Sequence, residues 1–235
     1  NAGTDTLIIV PNGVAAITPA DSLWTGITDI EKILITTTGA GAQTITTGAF
    51  FEAAFAAAGV DLTTTSDAGA ITLDMSTFTG VATLTTTSGA GAQTITTGSG
   101  VTTVTATSGA GALTITGANL ATVNAITTGA GAQTITSTGA GNVIVNATSD
   151  AGATTIVTGA GKDTITLFAS AAAGANFITG GAGADTITLV TGVFAATDTI
   201  VIGNADSGIT VATADKITGF ATAVDFLQMG TAGDA

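Results

Sequence analysis

The chain has 235 residues, 33 of them Gly, with only 8% charged, three Lys, no Arg, His, Tyr or Cys, and a formal charge of −13. That balance excludes a nucleic-acid-binding surface, which needs Lys and Arg against phosphate, and makes divalent cations the natural counter-charge. The lack of Cys excludes a disulfide scaffold and thiolate metal sites and fits the outside of a bacterial cell; no apolar run approaches the length of a membrane span.

In chain order, Gly3-Thr4-Asp5-Thr6-Leu7 is a partial match to the Gly-rich, Asp-x-apolar nonapeptide that late units carry more fully. No leader is visible, and a chain that begins at Asn1 reads as a piece, a processed product or only the ordered part of a protein. After "GITDIEKILIT" (26–36), the phrase "TTGAGAQTITTGA" occupies 37–49, and its core returns at 89–97 and 129–137. Each unit has two halves. Gly-Ala-Gly is expected to turn with positive φ. Thr-Ile-Thr alternates with period two, so Ile faces one side and Thr the other. The predicted strands centre on Ile45, Ile95, Ile115, Ile135, Ile165 and Ile187, expected as one apolar column. Between the first two units, "TGAFFEAAFAAAG" (47–59) sets Phe51 and Phe55 four apart and ends on Gly59. It predicts a short helix near 48–58 with a C-terminal Gly cap.

The phrase recurs every 20 residues at Gly89, Gly109 and Gly129, then in steps of 10, 11 and 9 at Gly139, Asp150 and Gly159. Fixed periods of this kind mean a solenoid. The expected fold is all-β, a parallel β-solenoid (β-roll or β-helix) with about 20 residues and two strands per coil. One domain spans 1–235: N-terminal coils plus the helix over 1–62, regular repeats over 63–200, and a capping segment over 201–235. "LFASAAAGANFITGG" (167–181) reads as a loop lengthening one coil. Repetition has a physical reason. Ordering a coil costs about 1–2 kcal/mol per residue, and each inward apolar side chain returns about 1.5–3 kcal/mol, so a coil must stack to fold.

Two late units carry the chemistry. "GAGKDTIT" (159–166) and "GGAGADTIT" (180–188) put Asp163 and Asp185 in the place that Gln43, Gln93 and Gln133 hold in the earlier phrases. The second fits the nonapeptide G-G-x-G-x-D-x-U-x, U being a large apolar residue. An Asp beside Gly-rich carbonyls suits Ca²⁺, a hard cation taking six to eight oxygens. Asp equally caps turns, and that is the expected role of Asp67 and Asp150 in "SDAGA". The Gln residues are expected to hydrogen-bond along a metal-poor ladder.

These motifs resemble those of the repeats-in-toxin (RTX) calcium-binding β-rolls of bacterial type I secretion. The Thr/Ala/Gly-rich, nearly uncharged style is most similar to the surface-layer proteins of that group. "DKITGFATAVDFLQMG" (215–230) resembles the segment that closes such rolls, and 26–36 resembles the phrase that leads into them. The resemblance implies Ca²⁺ held by Asp163 and Asp185 with the carbonyls of Gly159, Gly161, Gly181 and Gly183. It implies secretion to the bacterial cell surface and assembly with copies of the same chain. A cell-surface glycan would be engaged through a region outside this chain.

Enzymatic readings lack material. Without His or Cys the common general bases, thiol nucleophiles and zinc ligands are missing, and nothing sets Glu31 or Glu52 beside an Asp as a glycosidase pair. The expectation is a structural, non-enzymatic protein. One alternative is the export and folding domain of a secreted enzyme or adhesin. Another is an ice-binding solenoid using outward Thr-x-Thr ladders. Against the latter, Val101, Val104, Asn119 and Val143 are expected to interrupt the threonine face.

Overall fold

The computed structural model describes residues 4–10, 15–169, 174–191, 197–203, 206–208, 210–222 and 224–230. Gly3, residues 170–173 of the expected loop and residues 231–235 of the expected capping segment lie outside them. The chain runs through β1 (Thr6–Ile9), a 3-10 turn (Asp21–Trp24), β2 (Lys32–Thr37), β3 (Gln43–Thr46), α1 (Ala49–Phe55), β4 (Val60–Ser66), β5 (Ile71–Met75), β6 (Ala82–Ser88) and β7 (Gln93–Thr97). It continues through β8 (Thr102–Ser108), β9 (Leu113–Gly117), β10 (Leu120–Thr127), β11 (Gln133–Ser137), β12 (Ile144–Ser149) and β13 (Thr154–Val157). β14 (Thr164–Ala169), β15 (Asn176–Thr179), β16 (Thr186–Thr191), β17 (Asp198–Ile202), β18 (Lys216–Thr218) and β19 (Phe226–Met229) complete it.

From β2 onward successive strands alternate between two parallel sheets. One has ten strands, β1, β2 and then the even-numbered strands to β18; the other has nine, the odd-numbered strands from β3 to β19. The result is a parallel β-solenoid of about eight coils, about 22 residues each. Asp61 pairs with Thr83 and Thr83 with Thr103, steps of 22 and 20 residues. The segment expected as a loop at 167–181 is largely strand in its described part, the end of β14 and all of β15. In the segment expected as a cap, β18 and β19 extend the two sheets with one further, parallel coil.

Alternation explains the core. Along β11 the pattern is strictly buried–half-buried, with Ile135 inward and Thr134 and Thr136 outward. The single apolar column read from the sequence is in fact two. Ile45, Leu73, Ile95, Ile115, Ile135, Ile156, Ile178 and Ile200 stack on the nine-stranded sheet. Ile165 and Ile187 stack instead on Val145 in the ten-stranded sheet. The steps of 10, 11 and 9 are half-coils, so the same phrase changes edge: Gly111 packs on the Gly91 carbonyl at one edge, and Gly159 on Gly139 at the other.

The expectation of positive φ holds at Gly39 (82°) in the first phrase, and the glycine turns of the following coils work differently. At Gly89, Gly91, Gly109, Gly111, Gly129 and Gly131 φ is not positive. Space is the reason: a Cβ on Gly91 or Gly111 would sit 2.0 or 2.1 Å from the carbonyl oxygen one coil earlier. Positive φ is confined to a few turns, among them Gly161 (134°), Gly181 (73°) and Gly183 (149°). The helix falls where expected. Gly59, at φ 85°, donates its N–H to Phe55 O at 2.8 Å. Its N-terminus is capped from 27 residues away: Asp21 Oδ1 accepts from Gly48 and Phe51 at 3.0 Å, and Oδ2 from Phe50 at 2.9 Å. Trp24, Phe51, Phe55 and Phe78 seal the helix onto the solenoid through edge-on and tilted ring contacts.

Candidate functional site

The edge where the chain passes from the nine-stranded to the ten-stranded sheet holds the Gly turns 159–161 and 181–183. At its inner corner lies a rank of aspartates, each just ahead of a strand of the ten-stranded sheet. The β14–β16–β18 register stacks Asp163, Asp185 and Asp215. Each carboxylate reaches back one coil. Asp163 Oδ1 accepts from Val143 N at 2.8 Å, Asp185 Oδ1 from Asp163 N at 2.8 Å, and Asp215 Oδ1 from Asp185 N at 3.0 Å. Asp163 and Asp185 are each 1% exposed, and the Oδ2 atom of each is buried with no hydrogen-bond partner.

An ionised oxygen in that state is costly, and the acidities respond. Burial raises the Asp163 pKa, against the opposing pull of the Val143 N–H; the single Thr158 hydroxyl proton is taken by the Gly180 carbonyl at 2.8 Å and leaves Asp163 Oδ2 unpartnered. Asp185 is pushed up to about 7, chiefly by burial, with the negative charges of Asp163, Asp215 and Asp206 adding to it and the Asp163 N–H opposing. Asp215 is raised by burial and by Asp206.

The donor set fits a hard cation in kind. Two buried carboxylate oxygens lack partners, and among the described residues nothing donates to the Gly161 or Gly181 carbonyl. The Gly159 carbonyl already accepts from Ala182 N at 2.9 Å, which leaves one lone pair. Gly183 packs so tightly on Gly161 that a Cβ there would lie 1.6 Å from its oxygen. No three acidic or imidazole side chains converge on one point among the described residues. An ion here would therefore take most of its ligands from backbone. A groove of about 470 Å³, lined in part by Gly161, Lys162, Gly183 and Asp206, opens the outer side of these turns to solution.

The presumed equivalence of Asp163 and Asp185 with the Gln residues does not hold in space. Gln43, Gln93 and Gln133 begin strands of the nine-stranded sheet, at the opposite edge. Nor do they stack on one another, because Ile71 and Leu113 stand between them. Each is buried and reaches across to the ten-stranded sheet of the following coil: Gln43 Nε2 donates to Thr65 O, Gln93 Nε2 to Thr107 O and Gln133 Nε2 to Thr148 O. They act as neutral clamps between coils.

In the late coils that Gln rank becomes Asn176, Asp198 and Asp225, which the sequence reading missed. Asn176 Oδ1 accepts from Thr154 N at 2.9 Å and its Nδ2 donates to Asp198 Oδ1 at 2.7 Å; Asp225 Oδ1 accepts from Asp198 N at 3.1 Å. Burial raises the Asp198 pKa, opposed by Asn176 and helped by Asp225. The signal was available: Asp198-Thr199-Ile200, Asp215-Lys216-Ile217 and Asp225-Phe226-Leu227 all share the Asp-x-apolar pattern of Asp163 and Asp185. Asp67 behaves as a turn cap, its Oδ2 accepting from Gly39 N at 3.1 Å, and Asp150 is exposed.

Compared with known proteins, the chain matches no family model, no curated protein and no solved structure. No helix among the described residues is long and apolar enough to cross a membrane.

Proposed function

We propose that this solenoid is a calcium-stabilised structural protein of the bacterial exterior, of RTX type, that assembles with copies of itself into a surface layer. The observation that carries the calcium part is the pair of stacked, buried carboxylates at Asp163 and Asp185, each with one oxygen unsatisfied beneath glycine turns of positive φ. Asp163, Asp185 and the carbonyls of Gly159, Gly161, Gly181 and Gly183 would hold the ion, whose double charge offsets the repulsion within the rank. Assembly is supported by a surface with few charges and by outward apolar residues on the late coils, including Phe168, Val190 and Phe226 at 42%, 40% and 63% exposure. Secretion, a glycan anchor and the absence of enzymatic activity belong to the same proposal.

Electron microscopy of the purified protein with Ca²⁺ and with chelator, alongside calorimetric titration with Ca²⁺, tests it. Ordered sheets or tubes that vanish on chelation are expected. Calcium binding without any ordered assembly would leave the export and folding module of a larger secreted protein as the better reading. No binding heat and no change of stability with Ca²⁺ would reduce the aspartates to turn caps.

A further inference from the structure

The outward face of the nine-stranded sheet carries a regular array of threonines over its first six strands. Six successive coils place Thr44, Thr72, Thr94, Thr114, Thr134 and Thr155 in one rank. Two residues along the strands, Thr46, Asp74, Thr96, Thr116 and Thr136 form a second rank. No bulge disturbs these registers, whereas the ten-stranded sheet is irregular between Leu120 and Thr122. The residues expected to break the array are elsewhere. Val104 and Val143 point into the core, and Val101 and Asn119 lie between strands, at the other edge of the sheet.

We propose that this face binds ice. Four properties select that partner. The side-chain spacing is a fixed lattice, roughly 4.8 Å between coils and about 6.7 Å along each strand. Thr is stiff at χ1, so hydroxyl and methyl positions are held with the backbone. The threonine hydroxyls of both ranks make no hydrogen bond to another described residue, so each is free to donate and accept toward water. In a chain of charge −13, both ranks together contain one carboxylate, Asp74, and no cation. A rigid array with a single charge fits a partner that is itself periodic and hydrogen-bonding. Individually weak contacts then add, because the first fixes the position of all the rest.

Other partners fit less well. Protein hot spots are rich in Trp, Tyr and Arg and poor in Thr. Polyelectrolytes find no counter-charge. A crystalline polysaccharide would use aromatic platforms, and the first ring on this face, Phe177, comes only after the threonine rank ends. The proposal is independent of lattice assembly and of where the ions sit.

The test uses the full chain in calcium-containing buffer, with ice-crystal shaping and the gap between melting and freezing points as readouts. Thr114→Tyr and Thr116→Lys, at the middle of the array, should each reduce the freezing gap several-fold while leaving the thermal unfolding midpoint unchanged. Thr105→Lys, outward on the opposite sheet, should leave the gap intact. Round, unshaped crystals with the unaltered protein would overturn the proposal. So would equal loss in the face and control variants, or retention on crystalline cellulose or chitin with no effect on ice.

Discussion

A carboxylate that is 1% exposed and uses only one of its oxygens is held in its charged form at a cost. Asp185 shows the consequence, with its pKa pushed up to about 7 by burial and by neighbouring aspartates. The folded chain therefore holds this proton more tightly than the unfolded chain does. Without divalent cations, the stability it contributes is complete below about pH 4 and is lost as pH rises through about 7. Thermal melts in chelator should fall in midpoint over that window, and Asp185→Asn should flatten the slope. Saturating Ca²⁺ should restore the midpoint above pH 7 in the unaltered protein and fail to do so in the variant. The glycines make a second residue-level contrast. Gly111→Ala would drive a Cβ to 2.1 Å from the Gly91 carbonyl, whereas at Gly141 the nearest neighbour is Asn119 Oδ1 at 3.5 Å. Denaturant titration should show a loss of about 1–3 kcal/mol for the first and a change within about 0.5 kcal/mol for the second.

A single strand has two faces with different energetic roles. Ile135 is fully buried between coils, while Thr136 looks outward. Ile135→Ala should cost about 2–5 kcal/mol, and Thr136→Ala about 0.5 kcal/mol or less. Equal losses in denaturant titrations would mean that the alternation is misassigned. The helix α1 is marginal by length and composition; what holds it is tertiary. Asp21 supplies acceptors for three N–H groups at its start, and those hydrogen bonds, led by the one from Phe50, lower the Asp21 pKa. Trp24 packs edge-on to Phe51 and Phe55 at 5.2 and 5.8 Å. As the chain has one Trp, its fluorescence reports this contact alone. Asp21→Ala should shift that emission to the red and speed amide exchange over 49–55, with the distant coils unchanged.

Along the whole molecule the means of joining coils changes. The early coils are clamped by neutral Gln side chains that donate across to the next coil. The late coils are joined by aspartates that repel one another. If each proposed ion is bound only by the folded roll, a hundredfold excess over Kd adds about 2.7 kcal/mol per site. Removing it should open the molecule from one end. Hydrogen exchange is expected to rise first over 159–190 on chelation, while 89–137 stays protected. Uniform loss along the solenoid would show that the coils unfold as one unit and that the ions do not act locally.

By itself the sequence determined the class of fold, the coil period, the inward isoleucines and the helix with its Gly59 cap. All of these are local regularities: a period of two in Thr-Ile-Thr, a period of about twenty in the glycines, and a spacing of four between Phe51 and Phe55. What it could not determine was which edge each phrase occupies, because a half-coil step leaves the local pattern unchanged while moving the residues to the other side of the core. Only the tertiary structure separated Asp163 and Asp185 from the Gln rank, placed Asn176, Asp198 and Asp225 in that rank, and aligned six coils of the nine-stranded sheet in one outward threonine rank. Stacking also decided why the glycines from 89 to 131 are needed, since the nearest atom to each missing Cβ belongs to a residue about twenty positions away, and that distance closes only when the coils are laid on one another.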